Sequence, residues 1–559
     1  MSNIAKRLAE FAQSQPQAIA IVEPIPKYSQ SETRKYKSIT FAELDKDSDR
    51  IAHALIQSGV QPNMRIALMV KQGIDFISLV FGMFKAGATL VLIDPGMGLR
   101  QMIQCLSEVD LDGFAAISKV QAVRSILQFW YFPNAKYNLT VGHRWFWDGL
   151  VLNEIRKRKH PGSIIVERAA DDSSAIIFTS GSTGIAKGVL FTHGIFQTQI
   201  ENIQNRFGVK PGTVDLACFP FFGLFNAAMG VTAVIPDMDS TKPGSVNPKN
   251  ILEAIHDWNI TQSFGSPALW NRVIDYCERM GKNLSPLRRV VSAGAPIAPK
   301  MLARLKKLIP EDGDIYTPYG ATEALPVALI SASEVLGETS QKTNEGGGIC
   351  VGTKFDTITW KVIEITDEPI EELENANECP TGKIGELIVT GPQVTTKYVT
   401  RIEANLYAKL LDSKGRIWHR MGDVGYLDEQ DRFWFCGRKS HRVETVNGPM
   451  YTIPCEAIFN QHEKVSRSAL VGIRTEDGSS CKEPVVFIEL YPDKAPKNEQ
   501  EQVGLVRELE SLAQSNPITT SIKRFLFSSA FPVDVRHNAK INREELAEMA
   551  EKAIGKFGD

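Results

Sequence analysis

Residues 178–189 read FTSGSTGIAKGV. From Thr179 to Gly184 (Thr179, Ser180, Gly181, Ser182, Thr183, Gly184) every residue is small or hydroxylated, and Lys187 follows three residues later. Glycine lets backbone N–H groups turn toward an anion, and serine and threonine hydroxyls add donors. A lysine then supplies a point charge. The stretch reads as a phosphate cradle. A flexible Gly/Ser linker is the competing reading, but an apolar strand, SAIIF, runs into the stretch and VLFTHG runs out of it. It is not a P-loop of the form G-x-x-x-x-G-K-[ST]. Read from Gly181 the chain has GSTGIAKG, with Ala186 in place of the second glycine and Gly188 in place of the magnesium-binding hydroxyl.

Around this loop, RIALMV (65–70), ATLVLID (88–94) and SAIIFTS (174–180) are predicted as buried strands. IDFISLVFGMFKAG (74–87) and ILEAIHDWN (251–259) are predicted as helices. Such alternation predicts βαβ units on largely parallel sheets. From about residue 347 short strand-like segments separated by Gly, Pro and Asp turns predict a β subdomain. After Gly437 the pattern is mixed again: strands at SALVGI and PVVFIEL, a charged helix over 498–514, a final helix from about Arg543, and a polar loop over 491–502. The expected fold class is α/β. It comprises a large N-terminal domain, 1–438, of mixed sheets flanked by helices with the β subdomain at 347–438, and a small mobile α+β C-terminal domain, 439–559.

The length of 559 residues predicts three or four structural units at about 150 residues each. Charge is nearly balanced, 63 Lys+Arg against 65 Asp+Glu, so nothing pulls the chain toward nucleic acid or anionic membrane as a whole. Eight scattered cysteines show no CxxC or Cys/His spacing, which predicts reduced thiols and a cytoplasmic location. The N-terminus is an amphipathic helix pattern without a signal core, and no apolar run reaches transmembrane length. Residues 129–147, FWYFPNAKYNLTVGHRWFW, hold eight aromatics in nineteen positions. Core packing is the plain expectation; the wall of an apolar acyl pocket and a shallow membrane contact are the alternatives.

FTSGSTGIAKGVLFTH (178–193) resembles the signature of the adenylate-forming superfamily, which includes acyl-CoA synthetases, peptide-synthetase adenylation domains and luciferases. That family usually has Pro where this chain has Ala186. Four further stretches resemble its later motifs in order: SAGAPI (292–297), YGATE (319–323), GDVGYLDEQDRFWFCGR (422–438) and HNAKINREEL (537–546). The resemblance implies ATP and Mg²⁺. It implies that Gly294 and Ala295 border adenine, that Tyr319 beside Gly320 stacks on it, and that Thr322 bonds the α-phosphate. Glu323 is implied as the magnesium ligand, Asp423 as the acceptor for the ribose hydroxyls, and Arg438 as support for the same ribose or the phosphate. Lys187 and the loop would hold the outer phosphates, and Lys540 would bridge carboxylate and α-phosphate.

Three departures bear on the second half-reaction. Gly223 stands where a gate histidine is often found, Ser440 where an acidic or basic hinge residue is usual, and HRVETVNGPMYTIP replaces a Lys-x-x-Gly segment. Together with LIDPGMG (92–98), HRWFWDG (143–149), CFPFFGLFN (218–226), IPDMD (235–239) and GRKSHRVET (437–445), these resemble the β-lactone synthetases of bacterial olefin biosynthesis. That branch implies a 3-hydroxy fatty acid substrate whose own hydroxyl closes a β-lactone, and assembly with neighbouring pathway enzymes. A fatty acyl-CoA or acyl-carrier ligase, an adenylation unit of a secondary-metabolite pathway and a non-catalytic adenylate-binding homologue remain open.

Overall fold

The structure is a computed structural model that describes residues 3–27, 33–179, 185–475, 479–533 and 541–554, with backbone alone at 220–222. The chain forms two compact units. The first holds residues 1–327, 355–358 and 391–405; the second holds 328–354, 359–390 and 406–559.

Within the first unit, one sheet has the order Leu150–Val151, Tyr137–Val141, Gly113–Ile117, Arg65–Met69, Thr89–Leu92, Ser173–Phe178, Gly188–Thr192. All neighbours are parallel except the last pair. The three predicted strands and both predicted helices are present, the helices as Ile74–Lys85 and Pro248–Asp257. Parallel strands buried on both faces read as continuous apolar runs, which is why RIALMV and ATLVLID were legible. A second run of parallel strands, Ile19–Pro24, Thr232–Val234, Val214–Ala217, Gln262–Gly265, Arg289–Ser292 and Asp314–Ala321, is edged by the antiparallel Tyr36–Thr40.

Close helix packing in this unit rests on one glycine and one lysine. A Cβ on Gly82 would stand 2.5 Å from Ile51, so only glycine lets helices Phe41–Gln57 and Ile74–Lys85 approach this closely. Lys85, fully buried, lies 2.6 Å from both Asp45 and Asp49. A buried charge persists only when paired in this way.

His193, the last residue of the long signature, is buried at the start of helix His193–Phe207. Its Nδ1 accepts from Ile4 N at 3.3 Å. Burial, and then the Arg168 guanidinium, push its pKa down to about 4. The folded chain therefore refuses a proton that the unfolded chain takes up below its ordinary value of 6.5. Stability is expected to fall as pH drops from 6.5 toward 4, by up to about 3 kcal/mol from this group. His193→Gln lacks that loss, so the gap in unfolding free energy between wild type and variant should narrow on acidification. A gap constant between neutral and acid pH would overturn the assignment.

In the second unit an antiparallel sheet has the order Thr359–Ile363, Gly385–Thr390, Ile417–Leu427, Arg432–Arg438, Ile349–Lys354, ending on the distal half of Ala324–Ser331. These are the predicted short strands after 347. Strands Arg432–Arg438 and Ile417–Leu427 bury Phe433, Trp434, Cys436 and Trp418. Arg420 and Glu386, each 1% exposed, pair at 2.6 Å inside it. Strands Val465–Arg474, Lys482–Leu490 and Arg524–Phe527 make a separate mixed sheet. Helix Glu499–Gln514 packs on one of its cores, with Leu505 and Leu509, and helix Arg543–Ala553 on another, with Leu546 and Ala550. The polar loop expected over 491–502 is shorter than expected: Asn498 caps a helix that begins at Glu499, its side chain accepting from Glu501 N at 2.9 Å. A capping residue followed by Glu is a start signal that overrides local polarity.

The aromatic stretch 129–147 departs from the core-packing expectation. Phe132 and Trp147 are buried, whereas Phe129, Trp130, Tyr131, Trp145 and Phe146 face solvent.

Candidate active site

The candidate phosphate loop connects, in sequence, the two strands of an antiparallel pair. Strand Ser173–Phe178 runs in, strand Gly188–Thr192 runs out, and Phe178 pairs with Gly188. Two bonds tie its ends: Thr179 N donates to Lys187 O at 3.0 Å, and Lys187 N donates to Thr179 Oγ1 at 3.1 Å. Thr179 and Lys187 are both half-buried. Ser180, Gly181, Ser182, Thr183 and Gly184 lie outside the described residues.

Where the Lys187 ammonium points is decided by a segment far away in sequence. Residues 391–405 return to the first unit and run along strand Gly188–Thr192. Val399 N donates to Gly188 O at 2.9 Å, Gly188 N donates to Thr400 Oγ1 at 2.8 Å, and Val189 bridges Tyr398. The Lys187 ammonium sits over the Tyr398 ring, 4.9 Å from its centroid. This is cation–π range. The Tyr398 hydroxyl donates to Glu323 Oε1 at 2.6 Å.

Glu323 is reached from the other side. Strand Asp314–Ala321 ends in the two-residue turn Thr322–Glu323, and the next strand starts at Ala324. Gly320 is required there, because a Cβ would stand 2.5 Å from Ala324 O. The Glu323 backbone carbonyl accepts from Thr395 N at 2.8 Å and from Thr395 Oγ1 at 3.0 Å. The carboxylate is buried. Thus Lys187, Tyr398 and Glu323 form one line of contacts inside the first unit, and Thr322 is half-buried beside it. Tyr398 and Thr395 had no signal in the sequence. Both lie in the irregular segment after strand Gly385–Thr390 and its Gly391–Pro392 turn, where no local pattern singles them out.

Gly294 and Ala295 follow strand Arg289–Ser292, and Tyr319 lies near the end of Asp314–Ala321, the neighbouring parallel strand. Gly294 has φ +95°, a conformation that favours glycine. Carboxyl ends of adjacent parallel strands are where open α/β sheets hold ligands. These strands bring the two motifs, about 25 residues apart, to one edge.

In the second unit Asp423 and Arg438 face each other across paired strands Ile417–Leu427 and Arg432–Arg438. Arg438 Nη1 donates to Asp423 Oδ1 at 2.6 Å and to Met421 O at 3.1 Å. Asp423 is buried while Arg438 is partly exposed. Lys540 lies outside the described residues.

Among the described residues no three His, Cys, Asp or Glu side chains converge on a metal site. Glu323 is nonetheless a fit for Mg²⁺. Magnesium takes one or two carboxylates and completes its shell with water and substrate phosphate oxygens. A buried carboxylate with one oxygen held by a phenol, next to an ammonium, offers that kind of single anchor.

Of the three departures, Gly223 lies on helix Pro220–Met229, where a Cβ would meet Ile77 at 3.0 Å. Ser440 is exposed in the short turn Lys439–His441. The altered segment forms a hairpin, with Val443–Thr445 paired to Gly448–Met450.

Residues 8–399 match the AMP-binding enzyme family. The chain is 42% identical over 552 residues to an olefin β-lactone synthetase of Xanthomonas campestris pv. campestris, covering 98% of this chain and 97% of that one. It is 40% identical over 560 residues to an olefin β-lactone synthetase of Stenotrophomonas maltophilia, covering 99% of each. Among solved structures it is similar in fold to the amide bond synthetase McbA from Marinactinospora thermotolerans, with a TM-score of 0.78, 19% identity, and 98% and 99% of the two chains covered. MatB from Rhodopseudomonas palustris is similar too, with a TM-score of 0.76, 19% identity, and 99% and 100% covered. The chain belongs to the AMP-binding enzyme family and is an AMP-forming, acid-activating ligase of that family.

Proposed function

We propose that the chain uses ATP and Mg²⁺ to convert a 3-hydroxy fatty acid to its acyl-adenylate, and that the substrate's own hydroxyl then closes a β-lactone and expels AMP. The observation that carries this reading is the end-to-end likeness to two olefin β-lactone synthetases. The Lys187–Tyr398–Glu323 line supports the first step. A carboxylate and ATP are both anions, so joining them needs charge cancelled in place. In this reading the loop 179–184 and Lys187 hold the outer phosphates, and Thr322 bonds the α-phosphate. Glu323 is the anchor for Mg²⁺, which screens phosphate charge when bound. Gly294, Ala295 and Tyr319 border adenine; Asp423, kept in place by Arg438, takes the ribose hydroxyls. Residues 439–559 act as a small domain that carries Lys540 in and out about a hinge near Ser440.

The second step is intramolecular. A hydroxyl two carbons from the activated carbonyl is held beside it with no external acceptor to bind, and expulsion of AMP offsets the strain of the four-membered ring. Gly223, Ser440 and the hairpin 443–450 replace groups associated with a thiol acceptor, which supports an acceptor carried by the substrate. Mass spectrometry of products formed from ATP, Mg²⁺ and a 3-hydroxy fatty acid tests this. AMP release should require the hydroxy acid and be indifferent to CoA. Rapid CoA-dependent thioester formation from a plain fatty acid, with no lactone from the hydroxy acid, would leave an acyl-CoA ligase in its place.

Asp423→Ala is expected to raise the KM for ATP about tenfold and to leave the KM for the acid unchanged, since a charged acceptor facing the ribose is lost. Steady-state kinetics with each substrate varied in turn checks it. A rise confined to the acid's KM would remove Asp423 from the nucleotide site.

A further inference from the structure

Five side chains of the aromatic stretch are turned outward: Phe129 is 83% exposed, Trp130 69%, Tyr131 45%, Trp145 57% and Phe146 69%. Phe129, Trp130 and Tyr131 end the helix Ser118–Tyr131. Trp145 and Phe146 belong to loop 142–149, which sits at the amino end of that helix, where Ser118 Oγ donates to His143 O at 2.6 Å. Between the two ends, Lys119, Val123, Ile126 and Trp130 recur at helical spacing and are all exposed. They therefore share one face, about 16 Å long.

The loop rings are braced. Trp147 is buried, its Nε1 donating to Thr140 Oγ1 at 2.9 Å. Its ring centroid lies 5.4 Å from that of Trp145 and 5.1 Å from that of Phe146. Scattered exposed apolar residues need no cause, but seven on one helix and the loop at its amino end, Val123 and Ile126 with the five aromatics, are more than scatter and make a candidate docking surface. Charge points to its occupant. From Ser118 to Asp148 the chain carries Lys119, Arg124, Lys136 and Arg144 against Asp148, with Asp110 also at its border, accepting from Asn134 Nδ2 at 2.8 Å, in a chain of net charge −2. Arg124 is buried, and the other three cations are exposed.

We propose that this surface docks the enzyme on an anionic lipid bilayer. The helix Ser118–Tyr131 lies in the plane of the interface, its exposed aromatic and aliphatic side chains at the boundary between headgroups and acyl chains. Lys119, Lys136 and Arg144 meet lipid phosphates. Indole and phenol rings suit that depth, because each has an apolar body and a polar edge. The inference goes beyond acid activation and stands on residues that the candidate active site does not use.

Flotation of the full chain with vesicles tests it, using phosphatidylethanolamine mixed with phosphatidylglycerol in one arm and phosphatidylcholine alone in the other. The wild type should float with the anionic vesicles, less so as salt rises, and its tryptophan emission should shift to the blue as Trp130 and Trp145 leave water. Phe129→Ser with Trp130→Ser, and separately Lys119→Glu with Arg144→Glu, should each lower partitioning about tenfold or more. These positions are exposed, so unfolding midpoints and pyrophosphate exchange on a soluble short-chain acid should stay unchanged. Failure of the wild type to float with anionic vesicles at low salt would overturn the proposal. So would self-association of the chain that the same substitutions abolish while neither vesicle binds.

Discussion

Lys540→Ala is expected to slow ATP–pyrophosphate exchange by about a hundred- to a thousandfold while ATP still binds. As the carboxylate attacks, negative charge gathers between it and the α-phosphate, and a fixed ammonium there stabilises the transition state more than either ground state. The described chain resumes one residue after Lys540. Directly after it, Ile541 bridges Val533, Asn542 N donates to Pro532 O at 2.8 Å, and the Asn542 side chain caps helix Arg543–Ala553. Arg543 then locks that helix to its own sheet, with Nη1 2.5 Å from buried Glu456 and 3.0 Å from Leu470 O. Exchange kinetics together with calorimetric ATP binding checks this. Near wild-type exchange would remove Lys540 from the reaction, and loss of ATP binding in equal measure would make it a binding residue only.

Glu323→Gln is expected to lower exchange about a hundredfold and to raise the magnesium concentration needed for half-maximal rate about tenfold. Glutamine keeps the shape and can still accept the Tyr398 hydroxyl through its amide oxygen, so the fold is preserved and only the negative charge is lost. The comparison variant is Tyr398→Phe. It leaves the charge but removes the 2.6 Å bond that orients the carboxylate. It also keeps an aromatic face under the Lys187 ammonium. Its effect should be smaller, about three- to tenfold, and should appear in the magnesium dependence with little change in ATP affinity. Titrations of magnesium at saturating ATP separate the two variants. An unchanged magnesium dependence in Glu323→Gln would show that this carboxylate is not the anchor.

Much of this could be read before any coordinates, for a definite reason. Buried parallel strands leave unbroken apolar runs, so Arg65–Met69, Thr89–Leu92 and Ser173–Phe178 announced themselves. The phosphate cradle proposed at 179–187 would need backbone N–H groups and small side chains in consecutive positions, which is a local pattern and so could be read from sequence. The same holds for Thr322–Glu323, a two-residue turn between strands, and for Asp423 and Arg438, which end up opposite each other because two strands joined by a short turn must pair.

What the sequence could not decide is what depends on distance in the chain. Tyr398 reaches Glu323 across 75 residues of sequence, and Thr400 reaches Gly188 across 212. No local spacing encodes such contacts; only the return of residues 391–405 to the first unit makes them. The aromatic stretch 129–147 is the opposite case. Its composition was plain, but composition cannot say which way a ring faces. Helix Ser118–Tyr131 buries one side and leaves the other bare, and the loop 142–149 lays Trp147 inward while Trp145 and Phe146 remain in solvent. Local chemistry was therefore determined by the residues in sequence. Which of those residues meet, and which face outward, was decided by packing, because burial is a property of the whole fold and not of any window within it.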